Sequence, residues 1–247
     1  MGTETLIEWA HATWNPWMGC HKVSPGCKHC YMYRDLKRWG RDPMRVSRAQ
    51  YGTFFAPQLW ASYWENPRPI KKVPPKHGSR IFTCSWSDWF HVDADEWRDE
   101  AWNVVKNTPY TYLILTKRVE NVLERLPADW GEGYPNVWLG VSVENQDYMY
   151  RAEELAKINA RVRFISYEPA LGQIDLPDTV ARKFQWLISG GESHGRPAEL
   201  DWFRHIRGQC GYHGISYFHK QNGGATKIDG AGGGSEMHGL VWQEIPA

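Results

Sequence analysis

Apolar and polar positions along the 247-residue chain follow two periods in turn. Short runs rich in β-branched and aromatic residues fall at 80–84, 111–116, 136–143, 163–167, 185–189 and 215–219, which reads as strands. Helix-like spacing fills the intervals near 94–107, 118–126, 147–159 and 200–212, with a further helix near 30–39. Strands alternating with helices predict parallel pairing through crossover connections. The expected fold is therefore α/β, a partial (β/α) TIM-like barrel of about six parallel strands, formed by residues 1–247 as a single domain.

Pro and Gly fall between these elements, and no internal repeat or low-complexity linker divides the chain. Residues 66–75, Asn-Pro-Arg-Pro-Ile-Lys-Lys-Val-Pro-Pro, read as an extended basic connection into the strand at 80, with a nucleic-acid contact as the other reading. The glycine-rich run 223–239 forms no regular element cheaply and is expected to be a lid or a plain loop before the last segment, 240–245.

Charge changes this picture little, because 29 Lys and Arg balance 28 Asp and Glu; no net field announces a nucleic-acid or membrane partner. No apolar run approaches the ~18 residues of a membrane span. Five cysteines, an odd number, three of them clustered, together with a start lacking a basic segment and an apolar run, point to a reducing cytoplasm rather than a disulfide scaffold. Fifteen Trp and twelve Tyr are a surplus. Its ordinary reading is amphipathic rings packing loops onto a barrel; the other is a pocket for a flat ligand.

Barrels of this kind carry their chemistry on the loops after the C-terminal ends of the strands. Here nearly every expected strand runs directly into groups able to bind a cofactor or move a proton: Ser85, Ser87 and Asp88; Lys117 and Arg118; Ser142, Glu144 and Asn145; Glu168; Gly190, Gly191 and Glu192; Lys220 and Gln221. Any one of them alone is more often a solvated turn or helix cap. Their repetition at the same topological point carries the argument.

The strongest chemical signal is Cys20, Cys27 and Cys30, three cysteines within eleven residues of the loop 19–31. Three thiolates hold three irons of a [4Fe–4S] cluster and leave the fourth open to a small molecule, whereas an electron-carrying cluster normally takes four. Zinc competes, since Cys27-x-x-Cys30 is a half-site that His11, His21 or His29 completes. An unliganded redox group is a third possibility. Cys84, at a strand end, and Cys210, in an expected helix, read mainly as buried small hydrophobes.

The segments 7–16, 19–31, Ser85-Trp-Ser-Asp88, Leu115-Thr-Lys-Arg118, Leu139-Gly-Val-Ser-Val-Glu-Asn145, Ser166-Tyr-Glu-Pro169 and Ser189-Gly-Gly-Glu-Ser193 together resemble a phage-associated, three-cysteine-motif group of the radical S-adenosylmethionine superfamily, distantly similar to spore photoproduct lyase. The resemblance runs from about residue 6 to the C-terminus. It implies a barrel of the radical S-adenosylmethionine type, with Cys20, Cys27 and Cys30 ligating a [4Fe–4S] cluster whose open iron chelates S-adenosyl-L-methionine. One electron then yields methionine and a 5′-deoxyadenosyl radical, the protein supplying orientation and shielding. A reductant such as a flavodoxin or ferredoxin is implied as partner, and a host cytoplasm if the chain is phage-encoded. The chain departs from the commonest superfamily pattern: six residues separate the first two cysteines rather than three, and no Gly-Gly-Glu follows the strand after them. By similarity to spore photoproduct lyase, Lys117 would pair with the cofactor carboxylate and Ser85 and Ser142 with its polar groups, beside Ser87 and Asp88; His29 and Tyr31 would contact adenine or ribose.

The expected function is hydrogen abstraction from a nucleobase-type substrate, a modified pyrimidine of phage DNA, with Glu144, Asn145, Glu168, Glu192 and Lys220 as candidate substrate or proton-transfer groups. One alternative is an amino-acid-like substrate, free or attached to a base. The other is a non-catalytic metal-containing nucleic-acid binding module, using the basic strip Arg34, Lys37, Arg38, Arg41, Arg45 and Arg48 with Trp39 interleaved.

Overall fold

A computed structural model describes residues 5–193, 195–224, 227–228, 231–232, 234–237 and 239–247. Seven strands form the main sheet: β1 (Ala12–Trp14), β2 (Arg80–Thr83), β3 (Thr111–Thr116), β4 (Val137–Ser142), β5 (Val162–Tyr167), β6 (Trp186–Gly190) and β7 (Ser216–Gln221). They take the same order in the sheet as in the chain, without the order reversal of a doubly wound sheet. This is α/β topology consistent with a partial TIM-like barrel. Strand β1 is the seventh strand, beyond the six expected. Three residues ending at Asn15-Pro16 are too short to carry a visible period.

The chain resolves into two compact units: 1–21, 31–139 and 159–161 in the first; 22–30, 140–158 and 162–247 in the second. In the first unit β1, β2 and β3 pair in parallel, with Trp14 opposite Thr83 and Phe82 opposite Leu113. In the second, β5, β6 and β7 pair in parallel, with Ser166 opposite Ile188 and Ser189 opposite His219. Every residue of β6 is buried, as expected of a parallel strand covered on both faces.

Helix boundaries follow local chemistry. Helix α1 (Tyr31–Arg38) buries Met32 and Leu36, four apart, and ends on Lys37 and Arg38. Helix α2 (Ala56–Glu65) was not expected; it carries a Pro in its first turn, where the missing N–H costs nothing. Helix α3 (Asp95–Lys106) opens on Asp95 and Glu96 and closes on Lys106, signs that suit the helix dipole. The expected helix at 118–126 is two 3-10 turns, Val119–Asn121 and Leu123–Arg125. The one at 147–159 shortens to α4 (Tyr150–Leu155) after a 3-10 turn. Helix α5 (Leu200–His213) buries Phe203, Ile206 and Cys210 and stops at Gly214, whose φ of 69° is left-handed, the usual glycine C-cap.

The aromatic surplus is largely core in the first unit. Trp14, Trp17, Trp89, Trp102, Trp130 and Tyr134 form a continuous chain of rings with centroids 5.0–5.7 Å apart. Trp14, Trp17, Trp102 and Trp130 donate their indole N–H groups to the carbonyls of Phe54, Asp88, Arg125 and Asn159. Those bonds pair the donors of four of the buried rings, whereas Nε1 of the buried Trp89 has no partner among the described residues. The glycine-rich run contains two short antiparallel pairs, Lys227–Ile228 with Ala231–Gly232 and Glu236–Met237 with Leu240–Val241; 225–226, 229–230, 233 and 238 lie outside the described residues. No helix among the described residues is long and apolar enough to cross a membrane.

Candidate functional site

In the first unit, strand ends hold the chain around Cys20. Gly19, at φ 98°, donates its N–H to Trp86 O and accepts from Ser87 Oγ at 2.6 Å. A Cβ at this position would run into the Arg45 backbone. The Cys20 amide donates to Pro43 O, and its carbonyl accepts from Tyr33 Oη at 2.5 Å. Arg118, just beyond β3, places Nη2 2.8 Å from His21 O and 3.7 Å from Cys20 Sγ.

The other cofactor candidates of this unit are tied to each other. Asp88 is buried and accepts from Thr116 Oγ1 and from the amides of Phe90 and Lys117, so its carboxylate splices the loop after β2 to the end of β3. Ser85 exchanges hydrogen bonds with the Asn15 amide side chain, and its carbonyl accepts from Tyr31 Oη at 2.6 Å. Cys84 is buried at φ 52°, and burial pushes its thiol well up.

In the second unit, two acid–arginine pairs grip the turn that carries Cys27. Pro25–Cys27 form a 3-10 turn closed by Cys27 N–H to Ser24 O. Ser24 Oγ donates to Glu144 Oε1 at 2.6 Å and sits 3.7 Å from Cys27 Sγ. Glu144 is 0 % exposed and Arg151 1 %, and Arg151 Nη1 donates to Glu144 Oε2 at 2.8 Å and to Ser142 O at 2.9 Å. Glu192 is chelated by Arg196 through Nε at 2.8 Å and Nη2 at 2.7 Å, and Nη2 also donates to Pro25 O at 3.0 Å. Burial acts to raise the Glu192 pKa, but the Arg196 hydrogen bonds and charge hold it below the ordinary carboxylate value.

Gly26 lies against Glu144: a Cβ there would meet Glu144 Cγ and Oε1 at 2.6 Å. Gly26→Ala is expected to displace the turn and cost about 1–3 kcal/mol, the usual penalty of overpacking. Urea denaturation and hydrogen exchange of residues 22–30 check this; unchanged exchange there would show that the contact yields freely.

The remaining strand ends of this unit differ in their freedom. Asn145 Oδ1 caps the next turn by accepting from Asp147 N–H. Glu168 pairs with Lys220 at 2.9 Å with side chains 13 % and 29 % exposed, and Ser166 Oγ lies 3.4 Å from Glu168 Oε2. Gly190 leaves bare backbone beside this carboxylate, since a Cβ would come within 2.8 Å of Glu168 Oε1. His29 is exposed, and its charge acts on Glu192.

A family model described as a protein of unknown function, DUF5131, matches residues 4–246. The chain belongs to the DUF5131 family. No curated protein and no solved structure matches it.

Several residues of this DUF5131 chain escaped the sequence reading. Arg151 and Arg196 carry no strand-end or motif signal; Ser24 and Asn15 lie inside the segments 19–31 and 7–16, and Arg118 at a strand end, without an assigned role. Ser189, Tyr217 and His219 form a buried network, with Ser189 Oγ 2.7 Å from Tyr217 Oη and 2.8 Å from His219 Nδ1. Burial lowers the His219 pKa. His21, His91 and Asp93 bring candidate ligand atoms within 4.8 Å of one another. Burial also lowers the His91 pKa, with the Arg118 charge acting in the same direction.

Proposed function

We propose that this chain is a radical S-adenosylmethionine enzyme in which Cys20, Cys27 and Cys30 ligate a [4Fe–4S] cluster and the substrate is of nucleobase type. The observation that carries this is three soft thiol ligands within eleven residues, all half-exposed and outside any disulfide. Three half-exposed thiols on hydrogen-bonded turns, one touched by a cationic side chain, are a donor set that fits a cluster with one open iron.

When bound, cluster and S-adenosylmethionine supply one-electron cleavage of a sulfonium carbon–sulfur bond. The chain's own residues then have divided tasks. Arg118, Tyr33 and Ser87 hold the backbone around Cys20, while Glu144, Arg151, Glu192 and Arg196 hold the turn ending at Cys27. With Glu144 and Glu192 committed to arginines, Glu168 and Lys220 are the strand-end pair placed to bind substrate or move a proton. That pair offers an acceptor for an ammonium and a donor for a carboxylate, which favours an amino-acid-like group, free or base-attached, as the second reading.

The test is anaerobic reconstitution with iron and sulfide, reduction, addition of S-adenosylmethionine and quantification of 5′-deoxyadenosine. Cleavage that rises with added nucleotides or DNA supports the proposal, and cleavage raised only by amino acids favours the second reading. Stoichiometric zinc with neither iron nor sulfide would replace both with a metal-containing binding module.

A further inference from the structure

The buried side-chain nitrogens of the first unit without a hydrogen-bond partner among the described residues include Nε1 of Trp89, Nε of Arg118 and Nε2 of His91, and the last two belong to side chains that touch the Cys20–His21 segment. His91 is 1 % exposed. Its Nδ1 accepts from Asp93 N–H at 3.1 Å, and a neutral imidazole that accepts at one nitrogen carries its proton on the other. The orphan Nε2 is therefore a donor. Arg118 Nε is a donor in every protonation state a protein visits. Native proteins rarely leave buried donors unpaired, so each calls for an acceptor.

The surroundings indicate what kind of acceptor. The Arg118 guanidinium already reaches Cys20 Sγ at 3.7 Å and His21 O at 2.8 Å, and the His91 ring lies 4.9 Å from that of His21, the residue next to Cys20. A divalent cation among His21, His91 and Asp93 suits this chemistry poorly. One His91 nitrogen has its lone pair engaged by the Asp93 amide, the other carries a proton, and Arg118 adds a fixed positive charge nearby.

We infer that Arg118 and His91 are positioning residues that donate N–H groups to an anionic sulfur centre at Cys20, its cluster-ligating thiolate or an adjoining sulfide. This rests on the cluster reading proposed above. N–H donors to cluster sulfurs stabilise the reduced, more negative state and raise its potential. Arg118→Gln and His91→Phe each remove one donor; Arg118→Lys keeps the charge.

The experiment is reconstitution of the full chain and its variants, with iron and sulfide content and an EPR-monitored redox titration. The expected result is a more negative potential in Arg118→Gln and His91→Phe, with Arg118→Lys closer to the parent and circular dichroism unchanged. Iron loss from a folded Arg118→Gln protein, with loading kept in Arg118→Lys, supports the same assignment. If Arg118→Gln does not fold, His91→Phe decides alone. Intact clusters with unchanged potentials overturn this inference and leave the enzyme proposal standing. A parent that takes up neither iron nor sulfide overturns both; stoichiometric cobalt or zinc bound by the parent and lost in His91→Phe and Asp93→Asn overturns this inference alone.

Discussion

Under the proposed cluster assignment, alanine at any one of Cys20, Cys27 and Cys30 is expected to reduce iron and sulfide to background and to abolish 5′-deoxyadenosine formation, with the secondary structure retained. The reason is ligand number. A cluster with one open iron has three protein ligands, and losing one leaves a second iron without a thiolate. The thiols are half-exposed, so truncation opens no large cavity and the fold should survive. Cys210→Ala is the control: this thiol is buried in α5, and burial pushes its pKa up to about 12. Its loss should leave iron content unchanged and cost on the order of 1 kcal/mol by cavity formation. Iron and sulfide assays with the absorbance of the reconstituted protein check the series. Full iron loading in two of the three alanine variants would contradict the proposed ligand set.

Glu144→Ala is expected to be the most destabilising single change at the strand ends of the second unit. Removing the carboxylate leaves the Arg151 cation buried with its chief partner gone, at a typical cost of about 3–5 kcal/mol. The Nε of Arg151 already has no partner among the described residues, so little remains to compensate. For a chain of this size the melting temperature should fall by about 10 °C. Ser24 loses its acceptor in the same stroke, so hydrogen exchange at 22–30 should rise more than the global loss explains. Glu144→Gln keeps an acceptor for Ser24 and should protect the turn better. Pairing Glu144→Ala with Arg151→Met removes the stranded charge and should recover stability without restoring the turn. Thermal melts and residue-level exchange test this; a loss below 1 kcal/mol in Glu144→Ala would show that the Arg151–Glu144 pair contributes nothing net.

Six of the seven strands of the main sheet were legible because β-branched and aromatic runs report their period locally. Strand β1 was not, since three residues cannot display a period. Helix α2 was missed, and its Pro57 stands in the first turn, where proline is tolerated. The polar strand ends were legible as a set, yet their roles were not. Glu144 and Glu192 look from sequence like free acids awaiting substrate; in the fold both are bound to arginines four to seven residues onward, whose inward direction no periodicity reveals. Asp88 reads from the sequence as a cofactor contact, and the fold shows that its carboxylate also joins two loops.

By itself, then, the sequence determined the α/β alternation, the position of each main strand beyond the first, and the clustering of three thiols within eleven residues. These are properties of neighbouring residues, set by period, turn propensity and spacing. Tertiary structure alone decided what meets Cys20 in the first unit and the turn of Cys27 in the second. Ser24 meets Glu144 across 120 residues, Pro25 meets Arg196 across 171, and Cys20 meets Arg118 across 98. Such pairings depend on where the sheet carries each strand end, and in a parallel α/β fold that is settled by crossover connections, over distances at which local sequence preference is silent.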